Sequence, residues 1–111
     1  MKTITDSTPV SEIMQASRPI VVKFEAKWCA PCKAMTPLLL DIEQQLGDKV
    51  GFYSANVDHC MLIAQRYKVN QIPALLVIDK GAVTAMRTGA ASKAELLQWI
   101  KQAIPEFGDQ A

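Results

Sequence analysis

Cysteine, histidine and surplus charge are all scarce in this chain, and each scarcity excludes something. Among 111 residues there are three cysteines and one histidine. Three cysteines do not make a disulfide scaffold, so the fold has to rest on an apolar core. Twelve Lys and Arg stand against 11 Asp and Glu, a net charge of +1. That balance points to no nucleic acid and no anionic membrane as partner. Met1 to Asp6 lacks the apolar run of a signal peptide, and no later stretch is long enough to span a bilayer, so a cytoplasmic protein is expected. Internal repeats, low-complexity tracts and linkers are missing as well. The expectation is one domain over residues 1–111, with 106–111 as a loose C-terminal tail.

What is present is apolar and patterned. Half of the residues (50%) are hydrophobic and 21% charged, enough for a single core. A short strand is expected at Lys2–Thr5. Thr8 then reads as an N-cap and Pro9 as the first residue of a helix striped with Val10, Ile13 and Met14, stopped by Arg18-Pro19. Ile20 to Ala26 is the first strong strand, apolar on both faces except at Lys23 and Glu25. A long helix follows with Met35, Leu38, Leu39, Ile42 and Leu46 on one side, Pro37 inside it and Gly47 as its C-terminal cap. Val50–Val57 is the next strand, and Asp58 is placed to cap a short helix through Cys60, Ala64 and Tyr67. Ala74–Asp79 and Ala82–Arg87 form a hairpin around Lys80-Gly81. Ser92-Lys93-Ala94-Glu95 is a capping box opening a last helix with Leu96, Leu97, Ile100 and Ile104, ended by Pro105. This order predicts an α/β fold: a mixed central sheet, parallel strands first and an antiparallel hairpin last, with helices on both faces.

The chemistry concentrates in Trp28-Cys29-Ala30-Pro31-Cys32-Lys33, at the junction of the first strong strand with the long helix. Two cysteines separated by two residues near a β-α-β pattern are a dithiol–disulfide signal. With Pro31 in the first helical turn, Cys29 falls at the helix N-terminus, where unpaired N–H groups and the helix dipole favour a thiolate. Cys29 is therefore read as the nucleophile and Cys32, one turn further in, as the resolving thiol. A zinc set completed by His59 and Cys60 is disfavoured because those two are adjacent, and no metal is expected. A purely structural disulfide across so short a loop would constrain the unfolded chain little. Cys60, at a helix start of the kind that can lower a thiol pKa, is still read chiefly as a small apolar residue. His59 is read as solvent-facing. Trp99 and Tyr67 are read as core, and Met14, Met35, Met61 and Met86 as packing residues.

With these residues in place, the chain resembles the thioredoxin family. The resemblance rests on Trp28-Cys29-x-Pro31-Cys32-Lys33, Pro37, Asn56-Val57-Asp58, Ile72-Pro73, Lys80-Gly81 and Gly89-Ala90, in that order, and runs from about Ile20 to Ile104. It implies the thioredoxin fold and a cytosolic protein-disulfide reductase. Its reduced dithiol would attack client disulfides through a mixed-disulfide intermediate, with no cofactor, and be recharged by a thioredoxin reductase. It implies a monomer, a cis Pro73 beside the dithiol, and a substrate groove of Trp28, Ala30, Pro31, Ile72, Pro73, Thr88, Gly89 and Ala90.

Three positions depart from the family pattern. Ala30 stands where Gly is usual, Ala74 where Thr is common, and Lys23 where a buried aspartate assists the resolving cysteine; the position of that aspartate's lysine partner is Ser54. Redox tuning is accordingly assigned to Lys23, Glu25, Ala30, Pro31 and Pro73. Strand alternation sets Lys23 and Glu25 on one face, where they can pair. A charged Lys23 would favour thiolates and make the protein a weaker reductant, a neutral one would shuttle protons, and one reaching water would do little; the first is favoured. Two alternatives stay open beside the reductase: a more oxidising, oxidase- or isomerase-like variant, and a binding or assembly subunit whose dithiol is dispensable.

Overall fold

The computed structural model describes residues 1–108. Its order is β1 (Lys2–Ile4), α1 (Val10–Met14), β2 (Ile20–Glu25), α2 (Ala30–Leu46), β3 (Gly51–Asn56), α3 (Met61–Arg66), β4 (Ala74–Asp79), β5 (Ala82–Thr88), α4 (Lys93–Ala103) and α5 (Pro105–Gly108). The five strands form one sheet in the order β1-β3-β2-β4-β5. β1, β3 and β2 run parallel, and β4 joins β2 antiparallel and continues into the hairpin with β5. The mixed sheet expected from the sequence is the one observed.

Side-chain alternation divides the core into two layers. Ile20, Val22 and Phe24 of β2 pack with Ala74, Leu76 and Ile78 of β4 against Ile13 of α1 and Ile63 and Ala64 of α3. Val21, Leu75 and Val77 point the other way, to Met35, Leu39 and Ile42 of α2 and Leu96 and Ile100 of α4. Each fully buried aliphatic or aromatic side chain of this kind contributes about 1.5–3 kcal/mol. β2 is covered on both faces and paired on both edges, so the turn leaving its C-terminal end starts from a fixed point.

The local signals act at the positions that carry them. Gly47 ends α2 at φ 59°. Ser92 and Glu95 form both hydrogen bonds of a capping box. Lys80 and Gly81 take φ 54° and 79°, the double positive φ of a tight primed hairpin turn. A Cβ on Gly81 would also meet the Met14 carbonyl oxygen at 3.0 Å.

Four expectations are corrected. Thr8 does not cap α1: Pro9 occupies the N-cap position, and the Thr8 hydroxyl instead accepts the Thr5 N–H at 3.0 Å. Asp58 does not cap α3, whose N-cap position is Cys60 and which has no cap from that residue's side chain. Asp6, in the loop after β1, supplies the carboxylate, its Oδ1 accepting from the N–H groups of Leu62 (3.2 Å) and Ile63 (3.4 Å). Met61 and Met86 are 60% and 40% exposed and so are not core, while Tyr67 and Trp99 pack only at its margin. Glu106 does not open a loose tail: Pro105–Gly108 form a helical turn, and Phe107 leans on the α2/α4 layer. Residues 109–111, the rest of that expected tail, lie outside the described residues.

The Asp6 cap joins parts of the chain 56 residues apart. Asp6→Ala removes a carboxylate that meets two orphan N–H groups, and should cost about 1 kcal/mol of unfolding free energy in urea titration, with Asp6→Asn recovering about half.

Candidate functional site

The site grows from the exit of β2. Ala26, the first residue past the strand, is buried and forms a small cluster with Cys29 and Cys32, against which Val57 and Ile72 pack. The Cys29 N–H donates to the Ala26 carbonyl at 3.1 Å, closing the turn. Cys29 is the N-cap of α2, and Pro31 lies in the first turn, where its missing N–H removes no helical bond. The cap is the sulfur itself: Cys29 Sγ accepts the Cys32 N–H at 3.2 Å. The two cysteines are joined as a disulfide, with Cα atoms 5.3 Å apart. Both are buried, Cys29 slightly less so, at 6% exposure against 1% for Cys32.

Under the dithiol lies the least expected feature. Lys23, in the middle of β2, is 1% exposed. Its Cα registers with Ser54 of β3, but its ammonium finds its partners on α2. Nζ donates to the Cys32 carbonyl at 2.7 Å and to Thr36 Oγ1 at 2.6 Å, and lies 2.7 Å from Glu25 Oε1. Lys23 and Glu25 thus share a face and pair. Sequence reasoning missed Thr36, although it stands one helical turn after Cys32 and hence on the same side of α2. Glu25, Ala26, Lys27, Cys32, Lys33 and Thr36 line a recess of about 130 Å³.

On the other flank Trp28 is 70% exposed, and its indole Nε1–H donates to Asp58 Oδ2 at 3.2 Å, which is what the Asp58 carboxylate does instead of capping α3. Trp28 and Ile72 border a shallow pocket of about 190 Å³ with Val57, Ala64, Val69, Asn70 and Gln71. Of the residues expected in a groove, those two come together there. Ala30, Pro31, Thr88, Gly89 and Ala90 are exposed, and Pro73 is buried after a cis Ile72–Pro73 bond, its carbonyl accepting the Gly89 N–H at 2.9 Å. Ala74 is buried in β4, in register with Thr88. Cys60 belongs to the α1/α3 core layer and His59 is exposed, so neither joins the dithiol. Among the described residues no three His, Cys, Asp or Glu side chains gather as a metal-binding group, and no helix is long and apolar enough to cross a membrane.

The sequence model of the thioredoxin family matches residues 1–102. The chain belongs to the thioredoxin family. The match takes in the first helix, beyond the Ile20–Ile104 span that the motifs alone carried. Relatives include "Thioredoxin C-2" of Corynebacterium nephridii, 37% identical over 90% of this chain and 93% of that one. The thioredoxin of Rhodospirillum rubrum is 33% identical over 94% of this chain and all of its own length (100%), and that of Rickettsia felis 33% identical over 91% and 96%. Family and geometry agree on the activity: this thioredoxin-family chain is a thiol–disulfide oxidoreductase, a protein-disulfide reductase, and Cys29–Cys32 is the pair its fold presents.

The third cysteine behaves as packing. Cys60 is fully buried and its Sγ–H donates to the Ile4 carbonyl at 3.0 Å. Burial, and after it the charge of Asp6, push its thiol above the ordinary value of 9.0, so the helix start does not lower it. The folded protein then holds a proton that the unfolded chain releases in the ordinary thiol range. This contribution to stability is complete below that range and is lost as pH rises through it towards the folded value. Cys60 should therefore resist iodoacetamide in the native protein. The fall in urea stability between about pH 7 and about pH 10 should be smaller in Cys60→Ala than in wild type.

Proposed function

We propose that the chain works as a single-domain, monomeric reductant of protein disulfides in the cytoplasm, without a bound cofactor, and that a thioredoxin reductase restores its dithiol. Cys29 attacks the client disulfide and Cys32 resolves the mixed disulfide. The observation that carries these roles is the unequal setting of the two sulfurs. Cys29, 6% exposed, caps α2 with an N–H donor aimed at its sulfur, which stabilises a thiolate, whereas Cys32 is 1% exposed. Trp28, Ala30, Pro31, Ile72, Pro73, Thr88, Gly89 and Ala90 form the surface an extended client segment would meet, and Pro73 presents the backbone beside it.

Alkylation tests the assignment. After reduction, Cys29 should react first with iodoacetamide near neutral pH, and Cys29→Ser should abolish insulin reduction. Cys32→Ser should instead accumulate mixed disulfides with clients, because attack proceeds and resolution does not. Equal alkylation of both positions would overturn the roles. No insulin reduction in either the wild type or a Cys29→Ser, Cys32→Ser double variant would favour the assembly-subunit reading.

Lys23 bears on the direction of the chemistry. An ammonium paired with Glu25 and bound to the carbonyl of Cys32 favours the thiolate form at Cys32, and stabilising the reduced dithiol raises its potential. The protein is then a weaker reductant than a thioredoxin carrying an acid at this place. Lys23→Asp and the uncharged Lys23→Met should both lower the potential measured against glutathione, by about 30 mV for each ~1.4 kcal/mol of lost thiolate stabilisation. An unchanged or higher value in both variants would rule the electrostatic account out.

A further inference from the structure

Closing the Cys29–Cys32 disulfide requires a proton to leave a thiol that solvent scarcely reaches. Cys32 is 1% exposed, and the recess of about 130 Å³ beside it is lined by only one carboxylate, that of Glu25. Its Oε1 is buried. Lys23 Nζ approaches that oxygen to 2.7 Å, but outside the angles of a hydrogen bond, so the ion pair leaves Oε1 with no directional donor. That oxygen keeps hydrogen-bonding capacity that no donor takes up, beside the ammonium that balances its charge. The ammonium meanwhile spends its hydrogen bonds on the Cys32 carbonyl and Thr36 Oγ1, which fixes β2 to the first turns of α2 and holds Glu25 at the recess.

We propose that Glu25 is the proton acceptor for Cys32 in the resolving step, and that Lys23 is its positioning residue. The inference rests on the roles given above to Cys29 and Cys32. In the mixed disulfide, the Cys32 S–H proton passes to the Glu25 carboxylate, directly or through one water in the recess. The Cys32 thiolate attacks Cys29 Sγ; the Cys29–Cys32 bond forms and the bond from Cys29 to the client sulfur breaks. Two electrons leave the protein dithiol for the client, whose sulfur departs as a thiolate and takes up a proton from the Glu25 carboxyl or from water. The other ionisable groups around Glu25 are cationic or are the reacting thiol: Lys23 on its own strand, Lys27 and Lys33 at the recess, and Cys32 on α2. Its register neighbour on β3, Asn56, does not titrate.

The test uses an aromatic disulfide whose released thiolate is coloured. Mixed with the reduced protein, it yields one thiolate when Cys29 attacks and a second when Cys32 resolves. The Cys32→Ser variant should give the first phase alone, and a second phase in that variant would sink the thiol roles themselves, independently of Glu25. In Glu25→Gln the first phase should persist and the second should slow about 10²-fold near neutral pH. Its rate should then climb as pH rises above neutrality, where wild type has already levelled off. Glu25→Asp should recover part of the rate. Since Glu25→Gln leaves the ammonium unpaired, the pair-deleted variant Lys23→Met, Glu25→Gln is measured beside it and should show the same slow, pH-dependent second phase. A second phase with wild-type rate and wild-type pH profile in either Gln variant would overturn the proposal.

Discussion

A buried ammonium in the central strand is the condition around which the dithiol end of this protein is arranged. Removing a lysine head group from water costs several kcal/mol unless hydrogen bonds and an opposite charge replace its hydration. Lys23 has all three partners within 2.7 Å: the Cys32 carbonyl, Thr36 Oγ1 and Glu25 Oε1. The carbonyl belongs to the first turns of α2, where it still accepts from Thr36 Oγ1 at 3.3 Å as well. None of these groups can shift without leaving a charge unpaired in the core, which locks the turn bearing Cys29 to the middle of the sheet. A hydrophobic residue at this place would pack adequately. It would not tie the helix to the strand through the residue that does the chemistry.

The parts legible in the sequence are those whose cause is local. Strand β2 shows in a run of β-branched residues, the Ser92–Glu95 box in its spacing, the hairpin in Lys80-Gly81, and the dithiol in two cysteines at a strand-to-helix junction. The pairing of Lys23 with Glu25 follows from period-two alternation alone. The features that escape depend on contacts remote in sequence. Asp6 caps α3 across 56 residues, and no local pattern distinguishes it from Asp58, which stands nearer and faces Trp28 instead. The exposure of Met61 escapes for a related reason. α3 has only six residues, and its buried side is taken by Ile63 and Ala64, leaving Met61 and Leu62 outward. Thr36 lies within reach of a helical-periodicity argument from Cys32, yet nothing in the sequence says that an ammonium waits below.

The two core layers explain why Cys60 and the dithiol, all small sulfur side chains at helix N-termini, differ so much. Cys29 and Cys60 are each the residue preceding the first turn of a helix. At α2 the sulfur itself takes up a free N–H, and the position keeps 6% exposure against none at Cys60. At α3 the corresponding N–H groups are already satisfied by Asp6, and the Cys60 sulfur turns into the α1/α3 layer to donate to Ile4. A helix terminus lowers a thiol pKa only where its N–H groups remain available and the sulfur is not desolvated. Position along the helix is therefore insufficient; the competing cap decides.

A paired ammonium acts on its surroundings differently from a lone one. An isolated buried charge would act on both thiols at once, because a low-dielectric interior screens it little. Lys23 and Glu25 carry opposite charges 2.7 Å apart, so their fields largely cancel at a distance and matter only to a group that touches one of them. Cys32 is such a group, through its carbonyl on Nζ and its place in the recess with Glu25. Cys29 answers instead to the N-terminus of α2 and to the Cys32 N–H. On the roles proposed above, the acidity of Cys29 and the proton traffic of Cys32 depend on separate features, one in the helix and one in the strand. A chain can exchange the second for another pair of charged residues while the first stays fixed by the backbone, which is how an ion pair unlike the family's usual one can lie under an ordinary Trp-Cys-x-Pro-Cys turn.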